Sequence, residues 1–161
     1  MSKSLRIGVL SDTHGSRSAI EQALQAFGSV DMIVHAGDYV MDARWIAKQG
    51  YEVAYVRGNC DLDPYVEDEC LLDLCGHKIL LTHGHEYGVK YHIDALAEHA
   101  EAMGAQICVF GHSHRSECSF LYGCLMLNPG SPSLPRGTAP SCAVLTLEAG
   151  KPPRAEIVAL C

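Results

Sequence analysis

Short apolar runs that stop abruptly at polar loops organise this chain. Leu5–Leu10 is apolar and gives way to Ser-Asp-Thr-His-Gly, the pattern of a buried strand running into a loop. From Ser16, a candidate N-cap, Ile20, Ala23, Leu24 and Phe27 share one helical face before Gly28 closes the helix. Asp31–His35 then predicts a strand ending in Ala-Gly-Asp, and residues 42–49 a helix closed by Gly50. Val53–Val56 predicts a third strand, ending in Arg-Gly-Asn-Cys-Asp. Three strand–loop repeats with helices between them favour a parallel sheet under helical cover.

The rhythm changes after residue 65. Cys70–Leu74 and Lys78–Thr82 flank Gly76-His77 and predict a hairpin. Ile93, Leu96, Ala100 and Met103, spaced by three and four, predict a helix with one apolar face. Ile107–Phe110 is another buried strand, ending in Gly-His-Ser-His. The remainder alternates short strands with turns at Tyr122-Gly123, Asn128-Pro-Gly-Ser, Pro135-Arg-Gly and Gly150-Lys-Pro-Pro. With no linker or repeat, residues 1–161 read as one α/β domain whose C-terminal part is largely antiparallel.

Composition narrows the function classes. A chain of 161 residues, 48% hydrophobic and 19% charged, is globular and long enough to bury a core. Its net charge of −7 speaks against an extended nucleic-acid or membrane footprint, but not against a phosphorylated substrate drawn to a metal. No apolar run reaches membrane-spanning length, and Ile7–Leu10 is too short for a signal-peptide core, so a cytoplasmic location is expected. The eight cysteines, at 60, 70, 75, 108, 118, 124, 142 and 161, include no CxxC pair. In a reducing compartment most read as small buried apolar residues or bystanders.

The chemistry lies in where the polar residues fall. Asp12-x-His14 follows the first strand, Asp38 the second, Asn59 the third, His83 the hairpin strand and His112-x-His114 the last. In open parallel sheets the ligand crevice lies beyond the carboxyl ends of the strands, so residues spread from 12 to 114 can converge there. Oxygen and imidazole donors without thiolate suit manganese, iron, nickel or zinc, and seven are too many for one ion with an open position. They suit two divalent metal ions sharing a carboxylate. A lone His or Asp at a strand end is usually a hydrogen-bonded loop residue; five such loops together are not.

The ordered set Asp12-Thr-His14-Gly, Gly37-Asp38, Gly58-Asn59, His83-Gly84 and Gly111-His112-Ser-His114 resembles the calcineurin-like metallophosphoesterase superfamily, over residues 5–137. Arg57-Gly-Asn-Cys-Asp61 and Asn128-Pro-Gly-Ser-Pro-Ser-Leu-Pro-Arg-Gly137 resemble its small YfcE-type phosphodiesterases, relatives of the retromer subunit Vps29. The resemblance implies a two-sheet sandwich flanked by helices, in α-β-β-α layers. It implies Asp12, His14 and His114 on one metal, Asn59, His83 and His112 on the other, and Asp38 on both. Manganese is the first expectation for the metal. Small members of the family often pair, so a homodimer is open.

The activity implied is hydrolysis of a small phosphoester, above all a phosphodiester, by a metal-activated bridging hydroxide, the ions lying about 3.5–4 Å apart. Asp38 and Asn59 are catalytic candidates, the latter by donating to a phosphoryl oxygen as charge builds. Many superfamily members have His where this chain has Cys60, a poor proton donor, which makes His85 the nearest alternative acid. His85 reads equally as a partner orienting a ligand. Arg57 and Arg136 read as substrate contacts or as solvated surface. His35 reads as a hydrogen-bonded core residue, Asp61 as a stabiliser of its own turn, and His77, His92 and His99 as surface. The alternatives are a phosphomonoesterase, or a non-catalytic Vps29-like interaction scaffold. A scaffold has no need of seven filled positions.

Overall fold

The computed structural model describes residues 3–160. Its elements are β1 (Ser4–Leu10), α1 (Arg17–Phe27), β2 (Met32–His35), α2 (Val40–Lys48) and β3 (Val53–Tyr55), then β4 (Glu69–Leu74) and β5 (His77–Thr82). A 3-10 turn at His85–Tyr87 precedes α3 (Asp94–Ala102), β6 (Ile107–Val109), β7 (Ser116–Leu121), β8 (Cys124–Pro129), β9 (Ser141–Glu148) and β10 (Arg154–Ala159). The strands make two five-stranded sheets, β10-β9-β1-β2-β3 and β4-β5-β6-β8-β7.

Ile7, Val9 and Val34 of the first sheet, with Val56 just past β3, pack against Ile79, Leu81, Ile107, Val109, Leu125 and Leu127 of the second. Residues of opposite parity turn outward. Leu10 and Ile33 meet Ile20, Ala23 and Phe27 of α1 and Ile46 of α2, while Leu80, Cys108 and Met126 meet Leu96, Ala97 and Ala100 of α3. The layers are therefore α-β-β-α, as the resemblance implied. Because both faces of the central strands are covered, their sequences are apolar runs rather than alternations.

Helix α1 starts and stops where its sequence places it. The Ser16 side chain accepts from Ala19 N–H, and Gly28 takes φ 65°. Helix α2 begins at Val40, two residues before the expected start. Tyr39 supplies no side-chain cap; the Asp61 carboxylate accepts the Val40 N–H at 2.9 Å instead. The orphan donor of the helix is satisfied by a residue from another loop, which local sequence does not show.

The C-terminal part is largely antiparallel, as expected: β4, β7, β9 and β10 run against their neighbours, around a parallel core of β5, β6 and β8. Three further expectations need correction. The hairpin turn is Cys75-Gly76, both at positive φ (51° and 76°), so His77 pairs with Leu74 as the first residue of β5. His77 is buried against the Glu148 carbonyl (3.1 Å) rather than on the surface, and His99 is half-buried against Glu69 (3.1 Å). Met103 is 38% exposed just past α3 instead of on its buried face.

Cys108, Cys124 and Cys142 are buried, Cys70 and Cys75 partly so, and Cys60 and Cys118 exposed; all seven are free thiols, and Cys161 lies outside the described residues. No helix among the described residues is long and apolar enough to cross a membrane.

Candidate metal centre

The five loops leave β1, β2, β3, β5 and β6 at one end of the sandwich and bring all seven candidate donors into one network. Asp12 Oδ1 lies 3.8 Å from His14 Nε2, 3.3 Å from His114 Nε2 and 3.7 Å from His83 Nε2. Asp38 Oδ2 lies 3.7 Å from His14 Nε2 and 3.4 Å from His83 Nε2. Asn59 Oδ1 stands 3.0 Å from His83 Nε2 and 3.1 Å from His112 Nδ1, and those two nitrogens are 3.3 Å apart.

Each group is oriented by the atom that does not face the cluster. Asp12 Oδ2 accepts from Ser11 Oγ (2.7 Å) and His112 N–H (2.9 Å), leaving Oδ1 free. Asp38 Oδ1 accepts Cys60 N–H at 3.0 Å, leaving Oδ2 free. His83 Nδ1 donates to the Ala36 carbonyl (2.8 Å) and His114 Nδ1 to the Leu134 carbonyl (2.7 Å). In the neutral imidazoles both Nε2 atoms then point lone pairs inward, the arrangement by which an outer hydrogen bond aims a metal-binding histidine.

Acceptors thus face acceptors: Asp12 Oδ1 meets the Nε2 lone pairs of His83 (3.7 Å) and His114 (3.3 Å), and Asp38 Oδ2 that of His83 (3.4 Å). Asp12 Oδ1 and His14 Nε2 are buried with no hydrogen-bond partner at all. Such an arrangement repels itself unless cations lie within it, so the side chains fit divalent metal ions of the oxygen- and imidazole-binding kind. The electrostatics agree. Burial alone would raise the Asp12 carboxyl, but His114, His14, His83 and Ser11 hold it far below the ordinary range. Burial opposes protonation of His83, yet Asp38 and Asp12 raise it, and the neighbouring Asp12 carboxylate raises His114. Burial, reinforced by His83, pushes His112 down to about 4 and keeps it a neutral donor.

Backbone strain concentrates on the same residues. Among the described non-glycine residues, seven have positive φ, and five of these are Asp12 (55°), His14 (45°), Asp38 (51°), His112 (71°) and His114 (60°). Such conformations are costly and persist where the surroundings impose them. Two glycines allow the loops to close. A Cβ on Gly58 would lie 2.0 Å from Asp38 Oδ1, and one on Gly111 2.0 Å from Ser11 Oγ.

His35 is the hydrogen-bonded core residue expected, and the residues it works with were not singled out by the sequence. His35 Nδ1 accepts Gly37 N–H (3.1 Å), so its Nε2–H donates to Thr13 Oγ1 (2.9 Å), and Thr13 donates to Asp42 Oδ2 (2.5 Å), which also accepts Gly15 N–H (2.8 Å). This chain ties the Asp12-x-His14 loop to the loop that carries Asp38. Ser131 Oγ donates to the Asp12 carbonyl (2.7 Å) and Ser133 Oγ to the Thr13 carbonyl (2.9 Å). Both serines lie in the Asn128-Pro-Gly-Ser-Pro-Ser motif, whose polar density was the available signal.

Other candidates lie at the edge. Arg57 is held by the Asp68 carboxylate (2.7 Å) and the Asp63 carbonyl (3.0 Å). His85 sits with its ring 5.5 Å from that of His83 and 6.1 Å from that of His112, its Nδ1 buried and without a partner. Burial and the neighbouring Asp38 push the Cys60 thiol up to about 11. Arg136 is exposed, and its backbone N–H donates to the His114 carbonyl at 3.0 Å.

Comparison with known proteins gives the same direction. Residues 5–150 match the model of the calcineurin-like phosphoesterase superfamily domain. The chain is 40% identical over 150 residues to the probable metallophosphoesterase YsnB of Bacillus subtilis, covering 89% of this chain and 85% of the relative. It is 29% identical over 165 residues to the phosphodiesterase YfcE of Escherichia coli K12, covering 85% and 84%. A crystal structure of a predicted phosphoesterase from Streptococcus pneumoniae TIGR4 superposes with TM-score 0.81 at 28% identity, over 98% of this chain and 90% of that one. The zinc complex of Entamoeba histolytica Vps29 shares the fold, with TM-score 0.74 at 22% identity over 96% and 98%.

Proposed function

This chain belongs to the calcineurin-like phosphoesterase superfamily, and from that footing we propose that it hydrolyses a phosphodiester at a centre of two divalent metal ions. The observation that carries the reading is the inward convergence of unpartnered donors, with Asp12 Oδ1 and His14 Nε2 buried and unsatisfied.

In this reading Asp12, His14 and His114 hold one ion, and Asn59, His83 and His112 the other. Asp38 serves both, since its Oδ2 lies within 3.7 Å of His14 and 3.4 Å of His83. When bound, the ions supply Lewis-acid charge to a phosphoryl oxygen and lower the pKa of the water that attacks phosphorus. Asn59 turns its Oδ1 to the histidines, which leaves Nδ2 to donate to a phosphoryl oxygen as negative charge grows there. A thiol at about 11 is a poor proton source at neutral pH, so the proton for the departing alcohol comes from His85 or from solvent. Arg57 meets substrate only by releasing Asp68. Manganese is the metal this reading favours, with iron, nickel or zinc as alternatives.

The test is hydrolysis of bis-p-nitrophenyl phosphate and p-nitrophenyl phosphate with added manganese, repeated after chelation. Faster hydrolysis of the diester, abolished by chelator, is the expected result. A monoester preference makes the protein a phosphomonoesterase. A chain that takes up two metals and hydrolyses neither ester is a scaffold, the second reading that the likeness to Vps29 supports.

A further inference from the structure

A groove of about 340 Å³ opens beside the donor cluster, its walls formed by Tyr39, Met41, Arg44, Cys60, Leu62 and Asp63. Two of these residues belong to both places. Cys60 Sγ lies with donor atoms of His14 and Asp38, all within 4.8 Å of one another. The Tyr39 ring meets the His14 ring edge-on, with centroids 5.1 Å apart. A molecule whose phosphoryl group sits at the cluster therefore has one ester substituent at the mouth of this groove.

The walls define what that substituent can be. Met41 and Leu62 are 69% and 92% exposed, so neither is held there by packing within the fold. Exposed apolar side chains facing a groove that ends at reactive groups are the usual lining of a small-molecule site. The charges are already committed. The Arg44 guanidinium is 2.5 Å from the Asp63 carboxylate, and Asp61 accepts three backbone N–H groups. One cation against two carboxylates leaves nothing to neutralise an anionic substituent.

We propose that this groove is the specificity subsite of the phosphoesterase, taking a flat, uncharged, apolar group such as an aryl ring esterified to the phosphate, and turning away polyphosphate and other anionic esters. The proposal rests on the phosphoesterase reading and adds the class of ester it acts on. Tyr39 forms the wall shared with His14, and Met41 and Leu62 close on the faces of the ring.

Competitive inhibition by non-hydrolysable phosphonates tests it, with bis-p-nitrophenyl phosphate as reporter, saturating manganese, and the chain with and without the Met41→Ala and Leu62→Ala pair. In the parent chain phenylphosphonate inhibits about tenfold more tightly than methylphosphonate, the ratio expected for burying one face of a ring. In the double variant the ratio falls below about two, as the buried apolar area is lost. 4-Carboxyphenylphosphonate inhibits the parent no better than methylphosphonate. Manganese content measured in both chains separates a change in the groove from a loss of metal. Equal inhibition by phenyl- and methylphosphonate, or a ratio that survives the double substitution, overturns the subsite while leaving the phosphoesterase intact. Absence of any ester hydrolysis overturns the phosphoesterase reading, and the subsite with it.

Discussion

The carboxylate of Asp61 holds the backbone of Asp38 in place: Oδ2 accepts the Asp38 N–H at 3.0 Å while also accepting Gly58 N–H at 2.8 Å, and Oδ1 takes Val40 N–H. One side chain thus fixes two loops of the donor cluster and the start of α2. Asp61→Ala removes all three hydrogen bonds without removing a donor atom from the cluster. Metal affinity is expected to fall by roughly 10- to 100-fold, the usual effect of losing a group that orients ligands. Titration calorimetry with manganese checks it, and unchanged affinity would show that the loops hold their positions unaided.

Asp38→Asn acts at the cluster itself. The substitution keeps the shape but removes the negative charge that faces both His14 and His83. Elemental analysis should find fewer than two metals per chain, and diester hydrolysis should drop by roughly a hundredfold or more. Retention of both metals and full activity would show that Asp38 does not bridge.

Gly58→Ala tests the close approach of two loops. The added methyl meets Asp38 Oδ1 at 2.0 Å, so one backbone must retreat. A loss of about 1–3 kcal/mol in unfolding free energy is expected, as for other overpacked positions. Urea denaturation of the chelated protein measures it.

His35 makes stability depend on pH. Burial pushes its imidazole down to about 4, and Asp42 and Asp12 only partly oppose this. The unfolded chain, with an ordinary value near 6.5, therefore binds the proton first as pH falls. The stabilising difference is complete above pH 6.5 and is lost on acidification toward pH 4, amounting to roughly 3 kcal/mol. His83 and His114, whose values are raised, act in the opposite sense, with stability present below about 6.5 and lost as pH rises. They are common to the parent and to His35→Gln, so the difference between the two chains isolates His35. Denaturation in chelator at pH 7 and near pH 4.5 should show the parent losing more stability than the variant.

Much of this was legible in the sequence, for physical reasons that can be named. Apolar runs ending in Asp-x-His, Gly-Asp, Gly-Asn, His-Gly and His-x-His mark strands whose carboxyl ends share one edge, so the convergence of those side chains follows from parallel topology. Ser16 and Gly28 bound α1 because their capping is local. The start of α2 was misplaced because its cap comes from Asp61, and the frame of the β4–β5 turn because Cys75 takes a conformation that its sequence neighbourhood does not advertise. The parallel order of β5, β6 and β8 escaped notice because periodicity reports which faces are buried and not which strands are neighbours. Thr13, Asp42 and Ser131 escaped because a polar residue beside a ligand looks like any other loop residue until its partner is known.

The grip of Ser131 on the Asp12 carbonyl spans 119 positions, and β1 pairs with β9 as well as β2. A ribosome releases the Asp12 loop long before either support exists. The emerging chain therefore carries its cation-attracting groups through 119 further positions without the bracket that shapes them, and the pocket sets only when Ser131 and β9 close over the first strand.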